Sequence, residues 1–190
     1  MKTLGYYNGK IDELDKITIP MLDRACYFGD GVYDVTFSRN YKVYKLREHV
    51  ERIFASAALL NIYPQITPDE LCLLVEELVK KLDDDEQWVY FQFSRGTDYR
   101  NHAFPEAAVP NLWIMLKPAK IKDTYRHLRV ITRKDTRALH CNIKSLNLLP
   151  SVMATQACVD AGVDECILHR DGIVTEGAHS NVSILKNGTL

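Results

Sequence analysis

Apolar residues in the N-terminal part of this chain keep two different rhythms in turn. Trp88–Arg95 and Leu112–Leu116 are β-rich and alternating, as strands with one buried face are. Between Glu48 and Leu60 the apolar residues fall three and four apart, and Val50, Ile53, Phe54, Ala57 and Leu60 form one helical stripe. A second helix is predicted from Thr67-Pro68-Asp69-Glu70. There Thr67 can cap, Pro68 suits the first helical position and Glu70 completes a capping box ahead of Leu71, Leu74, Val75 and Leu78. These periods together describe an α+β chain, a largely antiparallel sheet with two helices, running to about Lys120.

Turn residues set the edges of the elements. Asn8-Gly9 is a hairpin signal between apolar neighbours. Val32–Ser38 and Tyr41–Leu46 read as strands joined at Arg39-Asn40. Pro118 to Asp123 reads as a linker, which predicts domains at 1–119 and 120–190. In the second, Leu128–Thr132 is a predicted strand and Asn147 to Ala161 a helix, capped by Asn147 and stopped by Gly162. Glu165–His169 and Val182–Lys186 are predicted strands around a turn at Asp171-Gly172. The last residues lead into a strand that does not follow, so this domain is expected to be incomplete at Leu190.

Composition narrows function by exclusion. A net charge of −1, with 26% charged residues, gives no field for nucleic acid or an anionic membrane. No apolar run is long enough to span a bilayer. The cysteines (Cys26, Cys72, Cys141, Cys158 and Cys166) are odd in number and contain no C-x-x-C pair. Reduced thiols, a cytoplasmic location and no metal site are the expectation.

Several stretches carry residue types that a plain core does not need. Lys144, in Cys141-Asn-Ile-Lys-Ser-Leu-Asn, sits among apolar neighbours before a helix. A solvated lysine is the ordinary reading; a desolvated amine of lowered pKa, able to form a Schiff base with a carbonyl cofactor, is the chemical one. Glu176 is either a turn carboxylate or the partner of a pyridine nitrogen. Arg100 and His102, within Arg95-Gly-Thr-Asp-Tyr-Arg-Asn-His-Ala-Phe-Pro, could grip a carboxylate. Gly29-Asp-Gly-Val-Tyr33 has the wrong spacing for a dinucleotide fingerprint and better suits a turn presenting the Tyr33 hydroxyl. Arg52 lies off the apolar stripe of its helix, where solvation and a phosphate contact compete as readings.

Five stretches in register resemble class IV aminotransferases, with the D-amino-acid transaminase branch the nearest. They are Arg24-Ala-Cys-Tyr-Phe-Gly-Asp-Gly-Val-Tyr-Asp-Val, Glu48-His-Val-Glu-Arg-Ile-Phe-Ala-Ser-Ala, Arg95-Gly-Thr-x-x-Arg-Asn-His-x-Phe-Pro, Ile143-Lys-Ser-Leu-Asn-Leu-Leu-Pro and Thr175-Glu-Gly-x-x-Ser-Asn-Val. The resemblance implies a fold-type IV, two-domain enzyme whose second domain is barrel-like. It implies pyridoxal 5'-phosphate as cofactor, with Lys144 as the Schiff-base lysine, Glu176 facing the pyridine nitrogen and Arg52 binding the phosphate. Tyr33, Arg100 and His102 match the trio holding the substrate carboxylate, the last two reaching across a homodimer. The implied reaction is transamination between a D-amino acid and a 2-oxo acid, with small-molecule substrates as the partners. The alternatives are branched-chain L-transamination or aminodeoxychorismate lyase chemistry on the same scaffold, or an inert fragment or binding module. Ala178 and His179 depart from the small hydroxyl residues that D-specific members favour after Thr-Glu-Gly.

Overall fold

A computed structural model describes all 190 residues, as two units. The first comprises Met1–Lys122 together with Asn142–Leu146, and the second comprises Asp123–Cys141 and Asn147–Leu190. A single cut in the sequence cannot produce this division, because the five residues around Lys144 return to the first unit.

The first unit is built on a six-stranded sheet. Its strands are β1 (Leu4–Tyr7), β2 (Lys10–Asp12), β3 (Gly31–Arg39), β4 (Lys42–Val43), β5 (Gln87–Ser94) and β6 (Asn111–Pro118), in the order β2-β1-β6-β5-β3-β4. Every neighbouring pair is antiparallel. The β1–β2 hairpin turns on Asn8 (φ 46°) and Gly9 (φ 94°), the positive-φ pair that Asn-Gly accommodates. Along β3, Val32, Asp34, Thr36 and Ser38 are buried while Tyr33, Val35 and Phe37 on the other face are less so. The buried face of the sheet adds Val89, Phe91, Phe93, Leu112, Ile114 and Leu116 to the core. Each aromatic or large aliphatic side chain removed from water there contributes about 1.5–3 kcal/mol.

Two helices cover that face: α2 (Leu46–Leu59) and α3 (Pro68–Leu78). Val50, Ile53 and Ala57 of α2 are fully buried, as the stripe predicts. The capping box of α3 forms in both directions: Thr67 Oγ1 accepts from the Glu70 amide, and Glu70 Oε2 accepts from the Thr67 amide. The expected strand at Tyr41–Leu46 shrinks to Lys42–Val43. Its turn is at Asn40-Tyr41, both at positive φ, and Lys45 (φ 46°) breaks the extended run so that α2 starts at the buried Leu46. A one-turn helix, α1 (Ala25–Phe28), ends at Gly29 in the left-handed region (φ 61°). Gly31 follows where the backbone is closely approached. A Cβ there would collide with the Phe93 carbonyl oxygen and the Leu146 side chain.

The second unit has three strands and one helix: β7 (Val130–Lys134), α4 (Leu149–Asp160), β8 (Glu165–Arg170) and β9 (Ile173–Gly177). β7 and β8 pair in parallel, which requires a crossover, and α4 lies within that crossover. β8 and β9 form a hairpin over Asp171-Gly172. The returning strand is therefore Ile173–Gly177, not Val182–Lys186; the latter segment forms only an isolated bridge between Lys186 and Thr189. The turn is tight enough for pairing to resume at once, so the strand starts directly after Gly172. Asn147 does not cap α4 as expected; the capping position is Leu148, which offers no side-chain acceptor, and Pro150 lies in the first turn. No helix is long and apolar enough to cross a membrane.

Candidate active site

Lys144 is positioned by backbone pairing. Its carbonyl accepts from the Tyr33 amide (3.0 Å), and the Leu146 amide donates to the Gly31 carbonyl (3.0 Å). Ser145 bridges to Val32, so residues 144–146 run along the free edge at the start of β3. The Lys144 amide also donates to Ser56 Oγ on α2 (3.3 Å). These bonds bring the side chain against Tyr33: Nζ lies 4.5 Å from the ring centroid and 3.4 Å from Oη, a long hydrogen bond. Two of the six expected site residues thus touch.

A third, Arg52, is hydrogen-bonded to Asp34, the chain neighbour of Tyr33 and an acid that the sequence alone did not single out. Asp34 is fully buried, and its carboxylate accepts from Arg52 Nε and Nη2 (both 2.7 Å). His49 Nδ1 lies 2.8 Å from the same carboxylate. Solvation alone does not describe Arg52, then: Nε and Nη2 of its guanidinium are fixed to Asp34 while 52% of the side chain stays exposed. The signal for Asp34 was present in the sequence. An acid at the period of Val32 and Thr36 must enter the core face, where it needs partners, and His49 and Arg52 stand three apart on the helix that covers that face.

Electrostatics follow from this burial. Desolvation lowers the pKa of the Lys144 amine from its ordinary 10.5, opposed by the charge of Asp34 and reinforced by that of Arg52. Burial raises the Tyr33 phenol, and Asp34 adds to that rise. Burial also pushes Asp34 upward, but hydrogen bonds from Arg52 and His49 overcome it and hold the carboxyl below its ordinary value. The sign for Lys144 is fixed: between its folded value and 10.5 the unfolded chain binds more protons, so stability attributable to this group rises with pH across that window. Labelling by an amine-reactive reagent at graded pH should accordingly show Lys144 becoming reactive below its ordinary 10.5. A profile at or above that value would contradict the desolvated amine.

Beside this cluster the other face of the sheet carries a stack of half-buried rings. Tyr33 lies on Tyr90 with centroids 5.6 Å apart, and Tyr90 lies on Trp88 at 5.3 Å. Tyr90 Oη donates to Gln92 Oε1 (2.5 Å).

Arg100 and His102 stand on the loop after β5, both exposed, and they gather on Phe28. The Arg100 guanidinium carbon is 5.1 Å from the Phe28 centroid and the His102 ring is 5.0 Å from it. The root of the loop is held by Asp30, whose Oδ2 accepts from Arg24 Nε (2.7 Å) and Arg95 Nε (2.8 Å). Arg24 Nη1 donates onward to the Asn101 carbonyl (2.7 Å).

Glu176 lies in the second unit, on β9, where Arg137 pairs with it. Arg137 is itself aligned by the buried Asp135, which accepts from its Nε (3.0 Å) and Nη2 (2.9 Å) and from Thr175 Oγ1 (2.9 Å). Arg137 holds the Asp135 carboxyl far below the usual carboxylate range. Nothing in the sequence marked Arg137, since the residue that aligns it lies only two positions away in an irregular stretch. After Gly177 the two departures find structural uses: Ala178 is buried, and His179 and Ser180 both meet Glu165 (3.1 and 2.7 Å).

Comparisons with known proteins cover nearly the whole chain. Residues 31–190 match the family model for amino-transferase class IV. A D-alanine aminotransferase from Staphylococcus epidermidis is 36% identical over 192 residues, a match covering 99% of this chain and 68% of that protein. One from Bacillus licheniformis is also 36% identical, over 100% of this chain and 67% of its own. An aminotransferase from Brucella abortus, solved with PLP bound, matches with a TM-score of 0.84 at 19% identity, covering 98% of this chain and 69% of that one. A branched-chain aminotransferase from Thermoproteus uzoniensis, solved with norvaline, gives 0.81 at 19% identity, over 92% and 62%. The chain thus spans about two thirds of the length of the relatives it matches.

Proposed function

The chain belongs to the class IV aminotransferases, and from that premise we propose that it serves transamination between a D-amino acid and a 2-oxo acid, with pyridoxal 5'-phosphate held by Lys144. The observation that carries this reading is the Lys144 amine, drawn out of water, lowered in pKa and laid against Tyr33. The preference for D-substrates rests on the D-alanine aminotransferases at 36% identity, together with the Arg100-x-His102 pair.

The donor set fits the cofactor. A partly desolvated amine suits an aldehyde, and a half-exposed guanidinium braced by a buried acid suits a phosphate. When bound, pyridoxal phosphate supplies that aldehyde and a ring able to take up the electron pair left behind as the substrate Cα loses its proton.

The chain's own groups divide the remaining work. Lys144 Nζ, with basicity reduced by burial, accepts the Cα proton and holds it for return, as general base and then acid. Tyr33 Oη steadies that amine. Arg52, fixed through Nε and Nη2 by Asp34, offers the rest of its guanidinium to the phosphate. Glu176 would serve the pyridine nitrogen, its carboxylate favouring a proton there. Arg100, His102 and Tyr33 hold the substrate carboxylate, the first two supplied by a second copy of the chain in a homodimer.

The deciding assay offers D-alanine and L-alanine to the chain, each with 2-oxoglutarate and added pyridoxal phosphate. We expect D-alanine to be favoured by more than about tenfold in kcat/KM. A preference for L-leucine would replace this reading with branched-chain transamination, and release of pyruvate from aminodeoxychorismate would replace it with lyase chemistry. A protein that takes up no cofactor and turns over none of these would be the inert form.

A further inference from the structure

Phe28 closes α1, and its ring is the meeting point of three cationic or titratable side chains. Arg24 stands 4.8 Å from its centroid, Arg100 5.1 Å and His102 5.0 Å. The last two are exposed and belong to a loop distant in sequence, whereas Arg24 is only 3% exposed. We propose that Phe28 is the positioning residue of the carboxylate grip: its π-face collects Arg100 and His102 into one orientation before a substrate arrives. This rests on the reading of Arg100 and His102 as carboxylate-binding groups.

The ring and the loop backbone are fixed independently of one another. Tyr27 Oη donates to the Asp98 carbonyl (2.6 Å), the Asp98 amide donates to the Leu22 carbonyl (3.1 Å), and Arg24 reaches the Asn101 carbonyl. Arg95 packs over Phe104 at 3.6 Å. The loop therefore keeps its path without help from Phe28, and what the Phe28 ring adds is the placing of side chains. Two exposed side chains that must be frozen by a ligand lose their rotamer freedom at the moment of binding, and that loss weakens affinity. Docking both on an aromatic ring beforehand removes part of it: the ring's negative face attracts the Arg100 guanidinium, and the His102 ring packs against it at 49°. Beneath the loop, Arg24 and Arg95 share the single carboxylate of Asp30, which fixes the base from which the loop rises.

The test uses the full chain with bound pyridoxal phosphate, and acetate as a carboxylate that cannot react. Acetate affinity is measured by calorimetry, and the His102 ring protons by NMR. In the unmodified protein those protons should be shifted upfield by the Phe28 ring. Phe28→Leu keeps apolar bulk without the π-face; it should abolish the shift and weaken acetate binding by roughly tenfold. Phe28→Tyr should restore both, to within about threefold in affinity. Phe28→Met gives the same comparison if the leucine variant does not fold. Unchanged affinity in Phe28→Leu, with Arg100→Ala still weakening acetate, overturns the role of Phe28 alone. Unchanged affinity in Arg100→Ala overturns the carboxylate grip itself, and this proposal with it. Absence of the upfield shift in the unmodified protein overturns it whatever the variants do.

Discussion

Lys144→Ala is expected to cut the D-alanine transamination rate by about 10⁴-fold or more, the upper end of what one acid–base group supplies, since the same atom also holds the cofactor. The change should leave the fold intact. Lys144 contributes to the first unit through its backbone amide and carbonyl, which alanine retains, and its side chain makes one long hydrogen bond to Tyr33. Removing an amine whose burial disfavours its charge relieves a desolvation cost and should leave stability level or slightly higher at neutral pH. The measurement is paired: steady-state rate against D-alanine, and the mass of the protein after borohydride reduction with pyridoxal phosphate. The unmodified chain should gain the cofactor's mass on the peptide containing Lys144 and the variant should not. A variant working at near-normal rate would remove Lys144 from the chemistry altogether.

Asp30→Ala should produce the largest loss of stability, about 3–5 kcal/mol, because it strips the counter-charge from two buried guanidiniums at once. Arg24 and Arg95 each point Nε at Asp30 Oδ2, and their side chains are 3% and 8% exposed, so neither can turn to water. Their other prongs are engaged with the Asn101, Leu60 and Asn61 carbonyls, which hold the cations in place once the acid has gone. Against a typical total of about 5–15 kcal/mol, that loss is a large fraction of the unit's stability. Asp30→Asn, which keeps an acceptor but not the charge, should cost less. Trp88 and Trp113, the two tryptophans, both belong to the first unit, so their fluorescence in a urea titration reads its unfolding directly. A loss under about 1 kcal/mol would mean that the guanidiniums find other partners.

What the sequence made legible was whatever local chemistry decides. Asn8-Gly9 admits positive φ at both positions, Thr67 and Glu70 satisfy each other's amides, and the stripe from Val50 to Ala57 can only face a core. The misreadings fall where a competing interaction won. At Tyr41–Leu46 the alternation looked extended, but Leu46 buries itself better as the first residue of a helix than as the end of a strand. Ile173–Gly177, β-branched but mostly exposed, becomes a strand because the turn before it delivers it straight onto β8. The site shows the same division. Lys144, Tyr33 and Arg52 were identifiable by residue type and motif, while Asp34 and Arg137 owe their roles to partners that only the folded chain brings near.

The return of Asn142–Leu146 to the first unit has a consequence for how the candidate amine comes into being. The strand edge that receives this segment is made by residues more than a hundred positions earlier, so no fragment confined to the later half can assemble the setting of Lys144. Ribosomal order suits this: the receiving edge is synthesised first and awaits a short graft. Any event that peels that graft away separates the Lys144 amine from Tyr33 and takes from the core only Ile143, so loss of that setting can precede loss of the fold.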